Sequence, residues 1–137
     1  FVGKSEILLN KMISAIKIDL MDTYMVNVIP LHYSKHELNS NEKLLEYLPI
    51  IQRYIDLIKP SIIILLGSLA AKLILNSNLS ISKLRGSWHK YNSINIKDAI
   101  DCIVTYNPYF LIDTPSYKKQ SWEDLQIIER KISNEKL

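Results

Sequence analysis

Two short strings in the chain carry side chains suited to a flat, polar ligand. In Asn27-Val28-Ile29-Pro30 the Asn27 amide offers both a donor and an acceptor, the pairing needed to read the edge of a nucleobase or a similar amide-like ligand. A loop-stabilising asparagine fits the same spacing. In Tyr106-Asn107-Pro108-Tyr109-Phe110-Leu111 a second amide stands beside a proline-stiffened turn and an aromatic and leucine pair. Such a loop either wedges into a stack of bases or tucks under the final helix. Positive residues gather nearby in sequence: Lys83, Arg85, His89 and Lys90 around a turn, and Lys118-Lys119 ahead of the last helix. They form a basic rim if that turn and the Asn107 loop share one edge of a sheet. The net charge of +3 suits contact with a few phosphates and is also ordinary for a soluble protein.

Other chemistries drop out. The single cysteine, Cys102, excludes an internal disulfide framework and any cysteine-rich metal or iron–sulfur site built from this chain alone. His32 and His36 sit in a polar loop without carboxylate partners at zinc-like spacing, so no metal site is expected. Gly67-Ser68 lacks the flanking glycine and lysine of a phosphate cradle, and Gly86-Ser87-Trp88 does not make a serine nucleophile elbow.

The elements that must position the two amides follow from periodicity. Gly3 to Ile18 reads as an amphipathic helix with Ile7, Leu8, Met12, Ile13, Ala15 and Ile16 on its apolar side. Tyr24 to Leu31 reads as a strand running into a polar loop. A second helix runs from Asn41 or Glu42 to Lys59, with Leu44, Leu45, Leu48, Ile51, Tyr54, Ile55 and Ile58 on one side and Pro49 expected to bend or split it. Ser61 to Gly67 has no alternation, the pattern of a strand in the middle of a parallel sheet. Gly67-Ser68 then turns directly into a helix over Leu69 to Leu75. A turn and short strand follow within Lys83 to Tyr91, and another strand runs from Ala99 to Tyr106, with Ile100, Cys102, Val104 and Tyr106 on one face. The last helix begins at Ser116 or Tyr117 and ends near Ile132, with Trp122, Leu125, Ile128 and Ile132 as its stripe.

Alternating helices and apolar strands predict an α/β sandwich with a mostly parallel, four-stranded sheet and ligands at the carboxyl ends of the strands. At 137 residues and 47% hydrophobic composition the chain makes one domain, residues 1–137. Its longest apolar run, Ile62 to Leu66, is far short of the roughly 20 residues that cross a bilayer. No membrane association and a cytoplasmic location are expected.

Several strings, taken in order, resemble the family 4 uracil-DNA glycosylases. They are Phe1 to Met12, Tyr24-x-x-Asn27-Val28, Leu48-Pro49, Ile58-Lys59-Pro60, Gly67 to Ala71, Leu84-Arg85-Gly86-x-Trp88-His89, Asn107 to Leu111 and Ser121 to Leu125. The resemblance implies a three-layer α/β/α sandwich and an enzyme that flips deoxyuridine out of DNA and cleaves the bond between base and sugar, acting on uracil-containing DNA; a monomer is expected. In that reaction the uracil leaves as an anion whose O2 oxygen must be stabilised. By resemblance, Phe1 is the residue that stacks on the flipped base and Asn27 the one that reads it. Pro108, Tyr109, Phe110 and Leu111 correspond to the wedge loop, and Leu84-Arg85-Gly86 to the stretch leading to the DNA backbone; Lys118 and Lys119 are expected at the DNA by their charge alone.

Three departures shape the expectation. Asn107 stands where the family has a histidine that donates to uracil O2, so excision weakened on the order of a hundredfold, or lost, is expected, since one oxyanion donor is worth that much. Leu31 and Tyr47 stand where the family has two cysteines of a four-iron cluster, so no cluster and a colourless protein are expected. The family's Gly-Glu-x-Pro-Gly motif, which positions the attacking water, would precede Phe1, so the domain reads as N-terminally incomplete. Two alternatives stand beside the glycosylase: a degenerate, non-catalytic relative that binds DNA or a protein, and a small base-binding α/β domain.

Overall fold

The computed structural model describes residues 3–18, 23 and 41–135. Phe1, Asn27, Leu31, His32, His36 and the strand expected over Tyr24 to Leu31 lie outside them. The chain runs α1 (Lys4–Ala15), α2 (Asn41–Ile58), β1 (Ile62–Leu66), α3 (Ser68–Leu75), α4 (Ile81–Leu84), β2 (Trp88–Tyr91), β3 (Ile100–Thr105), α5 (Pro108–Asp113), a 3₁₀ turn (Pro115–Tyr117) and α6 (Lys118–Glu135).

The sheet order is β1-β3-β2, with β1 and β3 parallel and β2 and β3 antiparallel. The mixed α/β class is as expected, but three strands are described where four were expected, and they pair once in each sense. Among the described strands β3 is the one with a neighbour on each side. Every residue of β3 except Asp101 is buried, whereas β1 is mostly half-buried. The physical reason is that β3 has a neighbour on each side, while β1, among the described residues, is paired along one edge only.

Helices cover both faces. On one side Ile51 and Ile55 of α2 and Ala70 and Ala71 of α3 pack with Leu65, Cys102 and Val104. On the other, Met12 and Ile16 meet Ile103, Leu111, Leu125 and Ile128. Successive β3 residues thus serve opposite layers. Tyr106, expected on the Cys102 face, instead joins the second cluster, because the strand ends at Thr105 and the backbone leaves its two-residue period there.

The helical faces shift slightly from the expected stripes. In α1 the buried positions are Ser5, Leu9 and Met12, followed by Ile16, while Ile7 is exposed. Helix α2 continues through Pro49 as one unit of 18 residues, so the expected split does not occur. Within it Ile51 and Ile55 are buried, but Leu45 and Tyr54 face out. In α6 the buried stripe is Ser121, Asp124, Leu125 and Ile128, and Trp122 is 48% exposed. Leu125 and Ile128 are as expected, and the stripe also turns two polar side chains, Ser121 and Asp124, into the interior.

Candidate functional site

The carboxyl ends of the two parallel strands meet at Gly67 and Asn107. The ladder continues one step past β1, where the Gly67 N–H donates to Thr105 O at 2.8 Å. Gly67 has φ +98°, and a Cβ there would stand 3.2 Å from the Asn107 Cβ. Glycine therefore serves twice, supplying the left-handed turn into α3 and the room for Asn107.

Asn107 is the N-cap of α5, with Pro108 in the first turn, where its missing N–H costs nothing. Its Oδ1 accepts from the Tyr109 N–H at 2.9 Å, and its Nδ2 donates to Leu66 O at 3.4 Å. The amide nitrogen has two hydrogens. One is directed at Leu66, which leaves a second that can donate to an acceptor at the strand ends.

The turn after α4 lies at the same edge. The Gly86 N–H donates to Val104 O at 3.2 Å, and the Arg85 guanidinium carbon is 6.0 Å from the centre of the Tyr106 ring. Asp124 of α6 binds these segments together. Its carboxylate is fully buried and accepts from Thr105 Oγ1 at 2.6 Å, from Arg85 Nε at 3.1 Å and from an Arg85 terminal nitrogen at 2.7 Å. That nitrogen also donates to Gln120 O at 2.9 Å. A Cβ on Gly86, whose φ is +75°, would lie 2.8 Å from Asp124 Oδ1, so the turn can approach the carboxylate only as glycine.

Burial raises the Asp124 carboxyl above its ordinary value, while the Thr105 hydroxyl and Arg85 pull it down. Burial also works against the Arg85 charge, yet the Asp124 hydrogen bonds hold the guanidinium above its usual value. The two shifts pull opposite ways on the pair. Three donors converging on one carboxylate favour its ionised form.

This arrangement places the expected DNA-facing residues unevenly. The Arg85 guanidinium turns inward onto Asp124, leaving 18% of the side chain exposed. Pro108 and Leu111 are buried, and the segment is a helix and not a loop, while Tyr109 and Phe110 are 49% and 39% exposed. Lys118 and Lys119 are exposed at the start of α6. Of the remaining expected rim, Lys90 pairs with Asp101, and His89 Nε2 donates to Leu84 O at 3.0 Å. Lys83 is exposed. Phe1 and Asn27 lie outside the described residues.

The cluster of Asp124, Thr105 and Ser121 is a feature that no motif in the chain announces. Its signal was present in the i, i+3, i+4, i+7 spacing of Ser121, Asp124, Leu125 and Ile128. A carboxylate on a buried stripe must find a cation, and Arg85 is that partner.

An amide at the carboxyl ends of two parallel strands, next to a helix that carries exposed aromatic rings, is the arrangement of an α/β domain that binds its ligand at the strand ends. Residues 1–126 match the family model of the Uracil DNA glycosylase superfamily, and the chain belongs to that superfamily. It is thus a uracil-DNA glycosylase-like protein with DNA as its substrate class. Among the described residues no helix is long and apolar enough to cross a membrane.

Proposed function

We propose that this protein is a family 4 type uracil-DNA glycosylase that flips uracil from DNA and hydrolyses its N-glycosidic bond, working as a cytoplasmic monomer. The observation that carries the reading is the placement of Asn107 at the joint carboxyl end of β1 and β3, with one Nδ2 hydrogen directed at Leu66 O and a second remaining. In a dissociative cleavage the bond electrons leave with the uracil, and charge develops on O2. Asn107 donates to that oxygen. As a neutral amide it stabilises the anion less than an imidazolium would, so the excision is slow. Asn27 reads the base edge and Phe1 stacks on it, as the resemblance implies, with Tyr109 and Phe110 entering the space the base leaves.

The reading includes no iron–sulfur cluster. Leu31 and Tyr47 offer a hydrocarbon and a phenol where the resemblance places thiolates. Cys102 is fully buried in β3, and burial pushes its thiol up to about 12, the opposite of what a ligating thiolate needs.

A labelled single strand with one deoxyuridine, incubated with excess protein and cleaved at abasic sites, tests the reading. Slow, single-exponential product formation supports it, and no abasic product after prolonged incubation removes it. One observation favours a second reading, a non-catalytic DNA-binding relative: the Asn107 amide already caps α5 through Tyr109. That reading predicts salt-sensitive DNA binding without excision.

A further inference from the structure

Three aromatic rings close a triangle beside Asn107. Tyr106 and Phe110 stack with centres 5.2 Å apart and planes 26° apart. Tyr117 meets Tyr106 at 5.2 Å and Phe110 at 5.1 Å, inclined to both. The three members are not equivalent. Tyr106 is 3% exposed and is pinned by its hydroxyl, which donates to Gln120 Oε1 at 2.8 Å. Phe110 and Tyr117 are 39% and 36% exposed, and they come from separate elements, α5 and the 3₁₀ turn.

A cluster built only for packing would bury its rings. Here the inner tyrosine fixes the planes of two outer rings that keep over a third of their surface in solvent. Phe110 has no polar atom to offset that exposure. Isolated exposed aromatic residues are ordinary, but a contiguous, rigidly seated set marks a contact surface. Lys118 and Lys119 follow Tyr117 directly and are exposed. The nearby carboxylates include Asp113, which ends α5, Glu123, which lies 3.5 Å from Arg85, and the buried Asp124, held by Arg85 at 2.7 Å.

Pre-seated rings next to consecutive lysines match a nucleic-acid strand, with π-faces for a base and cations for the phosphates on either side. Within a duplex, base faces are already stacked on their neighbours, so only an unpaired base can lie on such a platform. We propose that Phe110 and Tyr117, seated on the buried Tyr106, form a stacking platform for an unpaired base of single-stranded DNA, with Lys118 and Lys119 on the adjoining phosphates. Because Phe110 lies one helical turn from Asn107, the base held there flanks the nucleotide presented to Asn107. That flanking position rests on the glycosylase reading, whereas the stacking itself does not.

The test uses uracil-free DNA, so its outcome is independent of excision. A short labelled single strand and the matching duplex are titrated by fluorescence anisotropy against the native protein, Phe110→Ala, Tyr117→Ala and Phe110→Trp. A second strand carries 2-aminopurine to report stacking by quenching. Each alanine variant should weaken single-strand binding about tenfold, the scale of one base–aromatic stack, and leave the duplex unaffected. Phe110→Trp should retain both affinity and quenching, and thermal unfolding confirms that each variant is folded. Folded alanine variants that bind the single strand as the native protein does would overturn the proposal. So would equal weakening on single strand and duplex, or no quenching with the native protein.

Discussion

Asp124→Ala is the sharpest probe of how the strand ends are held. The substitution deletes three hydrogen bonds, from Thr105 at 2.6 Å and from two Arg85 nitrogens at 3.1 and 2.7 Å. It also leaves the guanidinium without its carboxylate. Removing one partner of a buried ion pair costs about 3–5 kcal/mol. Arg85 retains Gln120 O at 2.9 Å and has Glu123 at 3.5 Å, with 18% of its side chain in solvent. Ser121 Oγ, 3.5 Å from Thr105 Oγ1, can move to take the orphaned hydroxyl. These compensations put the cost at the lower end, about 3 kcal/mol. With a urea m value of about 2 kcal/mol/M for a chain of this size, the midpoint falls by about 1.5 M.

A paired substitution separates the ion pair from the space it fills. Arg85→Met with Asp124→Leu removes both charges while keeping apolar bulk, and it should unfold at higher urea than Asp124→Ala. The assay is equilibrium urea unfolding followed by circular dichroism, with m compared across variants. A loss under about 1 kcal/mol for Asp124→Ala would refute the reasoning, because a carboxylate with three donors cannot be that cheap to delete. A double variant no more stable than Asp124→Ala would also count against it.

Three further outcomes are expected. Cys102, pushed up to about 12 from an ordinary 9.0, holds about a thousandfold less thiolate at mildly alkaline pH, so Ellman's reagent should label it only after unfolding in urea. Asp101 is held below its ordinary 3.8 by hydrogen bonds from Lys90 and Lys131. Its contribution is therefore present above 3.8 and lost as pH falls through the lower folded value. Asp101→Asn should cost about 1 kcal/mol or less at neutral pH and flatten the acid limb of the urea midpoint plotted against pH. Gly86→Ala forces a left-handed residue with a Cβ 2.8 Å from Asp124 Oδ1, and a loss of about 2 kcal/mol is expected in thermal unfolding. An unchanged melting temperature would mean the turn can back away from Asp124.

Elements with one strong local signal were legible in the sequence. The apolar run Ile62–Leu66, the Gly67 turn into α3 and the helices around Met12 and Ile55 stand where periodicity put them. What was not legible depended on long-range pairing. That β3 has a neighbour on each side among the described strands is a matter of pairing, and no local run encodes that. In the α6 stripe Leu125, Ile128 and Ile132 stand on the core side as expected, while Trp122 faces out and Asp124 faces in. Only Arg85, 39 residues away in sequence, makes Asp124 tolerable inside. Asn107 was legible as a chemical group by its place at a strand end, but its capping of α5 and contact with Leu66 O were not. Leu111, in the segment that either wedges into a stack of bases or tucks under the final helix, packs in the core with Ile128.

Single-turnover excision by the native protein, Asn107→His and Asn107→Ala, on one deoxyuridine-containing single strand, tests the central claim most directly. If the Asn107 amide donates to the leaving uracil, Asn107→Ala should slow product formation by about a hundredfold, the scale of one lost oxyanion donor. Its lost helix cap should cost only about 1 kcal/mol of stability. Asn107→His should excise faster than the native protein, because an imidazole carries more positive character to the same oxygen. Equal rates for Asn107→Ala and the native protein, or no abasic product from any of the three, would contradict the account.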